Sequence, residues 1–316
     1  MQICLHPRVL VREKLERLLA CPWADVALPD QVAALPTMLM LRERQLLYWL
    51  ARHYVKGSGR IVDGGCFLGG STASFASGLA AREKYKPNKT IASYDLYRVE
   101  PYTLSDYRDC FSDTTIGASF RKDFETNIAP WSRHVETCEG DVTEIGWSGQ
   151  RIEVLFIDFA KTWRINDVVL EQFLPNLIPG HSIIVQQDYM WGFGPWIHIT
   201  MELLAESVTI LDSMLCSVAY LVTGKIPRNI VGMNLRSDLS DAMKMELMDS
   251  AVNRWTGQKR GLVELARVML ISEIFSRATA EDELARVLKS YPDDNVVRTC
   301  GQRVAGDIAG EPWWTL

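Results

Sequence analysis

The chain has 316 residues, 47% hydrophobic and 23% charged, with a formal net charge of −5. That length admits one large α/β domain with an appendage or two modest domains, and the composition excludes general disorder. The mild acidity excludes a nucleic-acid binder that works by bulk electrostatics, because neutralising phosphates needs a basic footprint.

Residues 1–57 read as helical, and "MLMLRERQLLYWLARHYV" leads directly into a first strand at 60–64. Charges at Arg8, Arg12, Glu13, Lys14, Glu16 and Arg17 interrupt any signal-peptide core. A helix is predicted over 71–83, a second strand over 90–96 and a third over 135–138. The run at 152–158 ("IEVLFID") is apolar on both faces, as a central parallel strand should be. An amphipathic helix over 166–177 stops at Pro179-Gly180, and a buried strand follows at 182–187. Two further strands, 208–211 and 217–223, have the spacing of an antiparallel pair closing one sheet edge. After Lys225-Ile226-Pro227 the pattern changes, and 238–308 reads as amphipathic helices broken at Gly257, Gly261, Pro292 and Gly301. Within it, "GLVELARVMLISEIFSRATAEDELARVL" has the form of a helical hairpin. The expected organisation is therefore an N-terminal helical segment (1–57), a doubly wound, mostly parallel α/β domain (58–226) and a helical C-terminal extension (227–316).

Seven cysteines occur, none at C-x-x-C spacing, which speaks against a zinc site and for reduced thiols in a cytoplasmic protein. No apolar stretch is long enough to span a bilayer.

The stretch "IVDGGCFLGGS" (61–71) packs four glycines between a strand and a helix. A P-loop requires G-x-x-x-x-G-K-[ST]; Gly64 and Gly69 have that separation, but Gly70 stands where the lysine must be. A dinucleotide loop requires G-x-G-x-x-G, and both frames fail, at Cys66 and at Phe67. The frame that fits is acid-x-G-x-x-x-G, with Asp63, Gly65 and Gly69. Asp95 ends the second strand, Asp141 follows the third and Asp158 ends the fourth. Taken singly, each acid could equally be a helix cap or a solvated loop residue.

Together these positions resemble class I S-adenosylmethionine-dependent methyltransferases over about 160 residues. The resemblance implies a seven-stranded Rossmann-like sheet with an antiparallel edge strand. It also implies a cofactor site at Asp63, Gly64, Gly65, Phe67, Leu68, Gly69, Ser71, Thr72, Asp95, Leu96, Asp141, Val142 and Asp158. Gly65 would turn the chain beneath the ligand. The helix N-terminus with Ser71 or Thr72 would hold its carboxylate, Asp63 its ammonium, Asp95 the ribose hydroxyls and Asp141 the adenine.

"GGCFLGGSTASFA" and "EVLFIDFAKTW…LPNLIPGHSIIVQQDY" further resemble the macrolide-sugar and catechol-type O-methyltransferases. Asp158-Phe159-Ala160-Lys161 matches the D-x-x-K of the catechol type, which implies Mg²⁺ on the Asp and a base at Lys161; a surface lysine is the alternative. The implied metal set is Asp158, Asp188 and Gln187, with Gln187 a poor ligand for a hard cation. Without metal, Asp188 becomes the base, with His198 as a second candidate. "YMWGFGPWIH" reads either as an aromatic lid over the acceptor or as a plug between sheet and appendage, and Trp163 shares that ambiguity. The insert at 98–130 reads as a cover for the ligand or as a peripheral helix.

The expected activity is O-methylation of a small hydroxylated acceptor, a sugar or a secondary metabolite, with no nucleic-acid partner and with self-association through the helical segments left open. N-methylation of a small amine without metal, and a catalytically silent binding protein, are the rival readings.

Overall fold

The structure, a computed structural model, describes residues 7–82 and 90–311. Cys4 and residue 83, the last of the first predicted core helix, lie outside the described residues.

Seven strands form one sheet: β1 Arg60–Gly64, β2 Ile91–Asp95, β3 Val135–Glu139, β4 Ile152–Ile157, β5 Ile183–Gln186, β6 Val208–Ser213 and β7 Val218–Val222. Their order is β3-β2-β1-β4-β5-β7-β6. β7 alone is reversed: it pairs antiparallel with both β5 and β6, one place in from the edge. The doubly wound, mostly parallel sheet expected from the sequence is present. The order turns back between β1 and β4, the switch point at which open α/β sheets bind ligands beyond the carboxyl ends of their strands.

Side-chain alternation along the strands splits the interior into two cores. Ile61, Val154, Phe156, Ile183 and Val185 point to one face, where Leu46, Leu47 and Leu50 of the N-terminal helices and Phe75 and Leu79 of helix Gly70–Ala80 cover them. Val62, Leu155, Ile157 and Ile184 point to the other. There they meet Leu170 and Phe173, Ile197 and Ile199 of helix Pro195–Leu203, and, continuously, the apolar faces of the C-terminal helices.

The C-terminal region contains helices Asp241–Asn253, Gly257–Ile274, Arg277–Ser290 and Asn295–Ala309. Side chains of Ser240, Ser276 and Asp294 cap three of their N-termini. Gly261 and Gly301, expected to break helices, instead lie inside them. A Cβ at Gly261 would sit 2.9 Å from Val297 and 3.1 Å from Tyr291; one at Gly301 would sit 2.6 Å from Leu288. These glycines let helices approach, and that contact outweighs their weak helix propensity. The helix predicted over 166–177 is regular only as Trp163–Val168, then widens to a π turn (Val169–Phe173) and tightens to a 3₁₀ turn (Leu174–Asn176). Among the described residues no helix is long and apolar enough to cross a membrane.

Candidate active site at the carboxyl edge of the sheet

β1 ends at Gly64 and the chain turns on Gly65, whose φ of +82° favours glycine. A Cβ at Gly65 would lie 2.8 Å from the carbonyl oxygen of Asp158. Gly69, at φ +95°, is the N-cap of helix Gly70–Ala80. Cβ atoms at Gly64 and Gly70 would run into the Phe159 ring and the Thr37 side chain, so the protein's own packing requires glycine there. Three non-glycine residues at this edge also have positive φ: Phe67, Tyr97 and Asp188. Such backbone costs free energy and clusters where function demands it.

Asp63, inside β1, is fully buried. Its Oδ2 accepts from the hydroxyls of Thr72 and, at 3.5 Å, Ser93, while Oδ1 has no hydrogen-bond partner. Burial pushes this carboxyl up to about 6, against the opposing pull of the neighbouring hydroxyls. A buried acid with one open oxygen suits an incoming cationic donor. Thr72, expected to hold a ligand carboxylate, has its hydroxyl committed to Asp63. Ser71 is buried beside it, and its hydroxyl is among those that pull the Asp63 pKa down.

Asp95 closes β2 and ties two loops together. Its Oδ2 accepts from Phe67 N and its Oδ1 from Tyr97 N, both at 2.8 Å. Each oxygen keeps a lone pair for a ligand hydroxyl. Burial raises its pKa, and the two backbone donors oppose that shift. The adjacent Leu96 side chain is exposed. Asp141 caps helix Val142–Ile145 by accepting from Thr143 N at 2.8 Å, a bond that depresses its pKa. The Leu68 side chain is buried, and the Phe67 ring packs edge-on against Tyr107, Phe111 and Phe120 of the insert. Phe67 is partly buried in this cluster, whereas Leu68 is fully enclosed. Tyr107 in turn donates to the carbonyl of Thr37 at 2.8 Å, so the insert covers the glycine loop.

Beyond β4 and β5 a charged cluster forms. The Lys161 ammonium donates to Asp158 Oδ1 at 2.6 Å and also to Asp188 Oδ2. The Lys161 side chain is 52% exposed, so burial opposes that ammonium only weakly, and the two carboxylates raise its pKa above a lysine's ordinary value. Lys161 is therefore a fixed cation, which corrects its expected role as a base. Burial together with the Asp188 charge raises the Asp158 pKa, and Lys161 opposes this. Tyr102 of the insert lies within the electrostatic reach of Lys161, Asp158 and Asp95.

The expected metal set does not fit. Lys161 takes the position between Asp158 and Asp188 that a cation would need. Gln187 is buried and its Oε1 accepts from Ser217, away from the acids. Among the described residues no group of three or more His, Cys, Asp or Glu side chains could hold a metal ion.

Ser217 Oγ also lies 2.5 Å from Glu43 Oε1, so its single proton is shared between the Gln187 and Glu43 oxygens, and Glu43 Oε2 accepts from Met40 N at 2.8 Å. Glu43 is 1% exposed and burial raises its pKa. Glu43, Ser217 and Tyr102 belong to this site and were not singled out from the sequence.

His198 does not join it. It is fully buried, edge-on to Tyr189 at 4.4 Å, with neither ring nitrogen hydrogen-bonded, and burial pushes it down to about 3. The aromatic segment splits between its two readings. Tyr189 is buried against Tyr220 and Trp255, while Trp163 meets Trp196 edge-on and donates to Glu273 at 2.9 Å. Trp196 donates to the Ala160 carbonyl at 2.6 Å. Tyr189, Trp163 and Trp196 thus pack as the plug reading has them, in the core shared by the sheet and the C-terminal helices.

No protein-family model matches the chain, and no curated protein does. Among solved structures, cofactor-bound Rv0187 from MTB is 14% identical over 71% of this chain and 93% of its own, with a TM-score of 0.41. CalS11, a TDP-rhamnose 3'-O-methyltransferase of calicheamicin biosynthesis, is 18% identical over 69% and 95%, with a TM-score of 0.39. Likeness this distant leaves the functional assignment to the residues themselves.

Proposed function

We propose that this chain is an S-adenosylmethionine-dependent methyltransferase acting on a hydroxyl of a small molecule. One observation carries the reading. Asp63, Asp95, Asp141, Asp158 and Asp188 stand at the carboxyl ends of five adjacent parallel strands, around a glycine bend at the switch point that lacks a phosphate-binding lysine.

In this reading Asp63 Oδ1 faces the ligand's ammonium, directly or through water. The helix N-terminus at 70–72 faces its carboxylate, Asp95 the ribose, and Leu96 with Asp141 the adenine. The ligand supplies an electrophilic methyl on a sulfonium, a good leaving group. The chain's own task is to orient the acceptor and take its proton. Asp188 Oδ2 is held by Lys161, and Oδ1 is the oxygen that accepts the hydroxyl proton. Lys161, still a cation, offsets the negative charge that builds on the acceptor oxygen. No step runs through a metal.

A second reading has one observation in its favour. Phe159 and Thr37 fill the space above Gly64 and Gly70, which a tight turn without ligand would also require. Calorimetric titration with S-adenosylmethionine and its demethylated product separates the two. Saturable one-to-one binding that Asp95→Ala abolishes supports the methyltransferase; no binding by the wild-type chain leaves a silent scaffold.

A further inference from the structure

At the opposite, amino-terminal edge of the sheet lies a hollow of about 380 Å³ lined by Glu13, Lys14, Arg17, His53, Tyr54 and Lys56. Its floor is built rather than incidental. The buried carboxylate of Glu153 accepts from the backbone N–H groups of Lys56, Gly57 and Ser58, which fixes the rim loop before β1. Glu153 Oε1 also meets His181 Nε2 at 2.8 Å. With that nitrogen carrying the proton, His181 Nδ1 is left as an acceptor, and Lys14 Nζ lies 3.3 Å from it. Lys14 Nζ also donates to the Gly180 carbonyl at 2.7 Å. An ammonium has three donors, so one remains for the hollow.

The charge balance there runs against that of the whole chain. The chain carries −5, yet Lys14, Arg17 and Lys56 converge on this hollow. Glu153, the carboxylate beneath them, stays ionised and attracts Lys14, and Glu13 is the one acid among the described lining residues, so three cations face two carboxylates. Arg17 and Lys56 are exposed, and among the described residues neither side chain is paired with a carboxylate. Burial chiefly, and then the neighbouring Lys56 and Arg17, depress Lys14 while Glu153 opposes them; burial, then Arg52, Arg82 and Arg17, depress His53. The hollow's volume of about 380 Å³ is many times the roughly 30 Å³ that one water takes in the liquid, which leaves room for an anion larger than a single phosphate.

We propose that this hollow binds a small molecule through a diphosphate group. Lys14 donates from the floor, and Arg17 and Lys56 clamp from the two rims. The site is separate from the carboxyl-edge cluster by the length of the strands, about 16 Å for five residues.

The test is calorimetry on the full chain at low salt, with inorganic pyrophosphate as probe and citrate as an anion of similar charge. The expected result is one pyrophosphate site with Kd below about 1 mM, at least tenfold tighter than citrate. It should weaken tenfold or more in Arg17→Ala/Lys56→Ala and fade as salt rises. Both substituted side chains are exposed, so the variant should fold, and unchanged S-adenosylmethionine binding checks this independently of activity. No saturable pyrophosphate binding up to about 5 mM, equal binding of citrate, or an unaffected double variant would each overturn the proposal.

Discussion

If Asp63 Oδ1 receives the ligand's ammonium, the affinity for S-adenosylmethionine must titrate with this residue. Burial lifts its pKa from 3.8 to about 6. Above pH 6 the carboxylate is ionised and binding is strongest. At pH 5 about one molecule in ten is ionised, so affinity should fall roughly tenfold, or about 1.4 kcal/mol. The ligand's carboxyl titrates well below this window and its α-ammonium near pH 8, at the upper end, so the diagnostic fall is the one between about pH 7 and 5. Asp63→Asn should bind weakly and show no such pH dependence. Calorimetric Kd values from pH 5 to 8 provide the assay. A flat profile refutes the contact, and a slope that persists in Asp63→Asn assigns it to another raised acid, with Asp158→Asn as the discriminating variant.

The same shift fixes a stability effect of known sign. An acid whose pKa is raised by folding favours the fold below its unfolded value, and that contribution is lost as pH rises through the folded one. Ligand-free protein should therefore lose about 2 kcal/mol between pH 4 and 6 relative to Asp63→Asn, out of about 3 kcal/mol in all, because the gap is roughly two pH units in a fully buried group. Urea unfolding of the pair at several pH values isolates this difference from all other titrations. If the variant and the wild type run parallel across this window, the buried-acid argument fails.

Other expected outcomes follow from the charged cluster and the packing. Lys161→Met should fold, by circular dichroism, yet lose about 10²-fold or more in kcat, because Asp158 and Asp188 are left facing each other and the acceptor oxygen loses its cation. His198→Phe should leave kcat/KM within about twofold. Its folded pKa of about 3 means that the wild type loses stability as pH falls below 6.5, and the variant should lose less in a pH-resolved unfolding series. Chelation with EDTA should leave turnover unchanged, and added Mg²⁺ should not raise it. Gly261→Ala should lower the urea midpoint by an amount worth about 1–2 kcal/mol at constant slope, because its methyl meets Val297 at 2.9 Å.

The sheet was legible because its central strands are short apolar runs ending in glycine or aspartate, and that punctuation survives in one dimension. For the same reason the acids at β1 to β4 could be placed in order before any coordinates. What stayed hidden depends on pairing between distant segments. The D-x-x-K spacing singles out Lys161, but its position between two carboxylates emerges only when β4 lies beside β5 with Ile157 opposite Gln186, which brings residue 188 next to residue 158. Glu43 in "LRERQ" looks like a solvated charge, and only the fold delivers it to Ser217, 174 positions away. Gly261 and Gly301 carry the local signature of helix breakers, and only their neighbours reveal them as contact points. The left-handed backbone of Phe67, Tyr97 and Asp188 has no sequence signal at all, since two of the three are aromatic residues that disfavour it. All three follow the carboxyl ends of parallel strands. Packing alone would scatter such strain through the loops, whereas a binding edge would gather it on one side. Three of the four such residues among those described gather here, the exception being Cys21 in the N-terminal segment, and that bias is a further physical reason to look for the ligand at this edge.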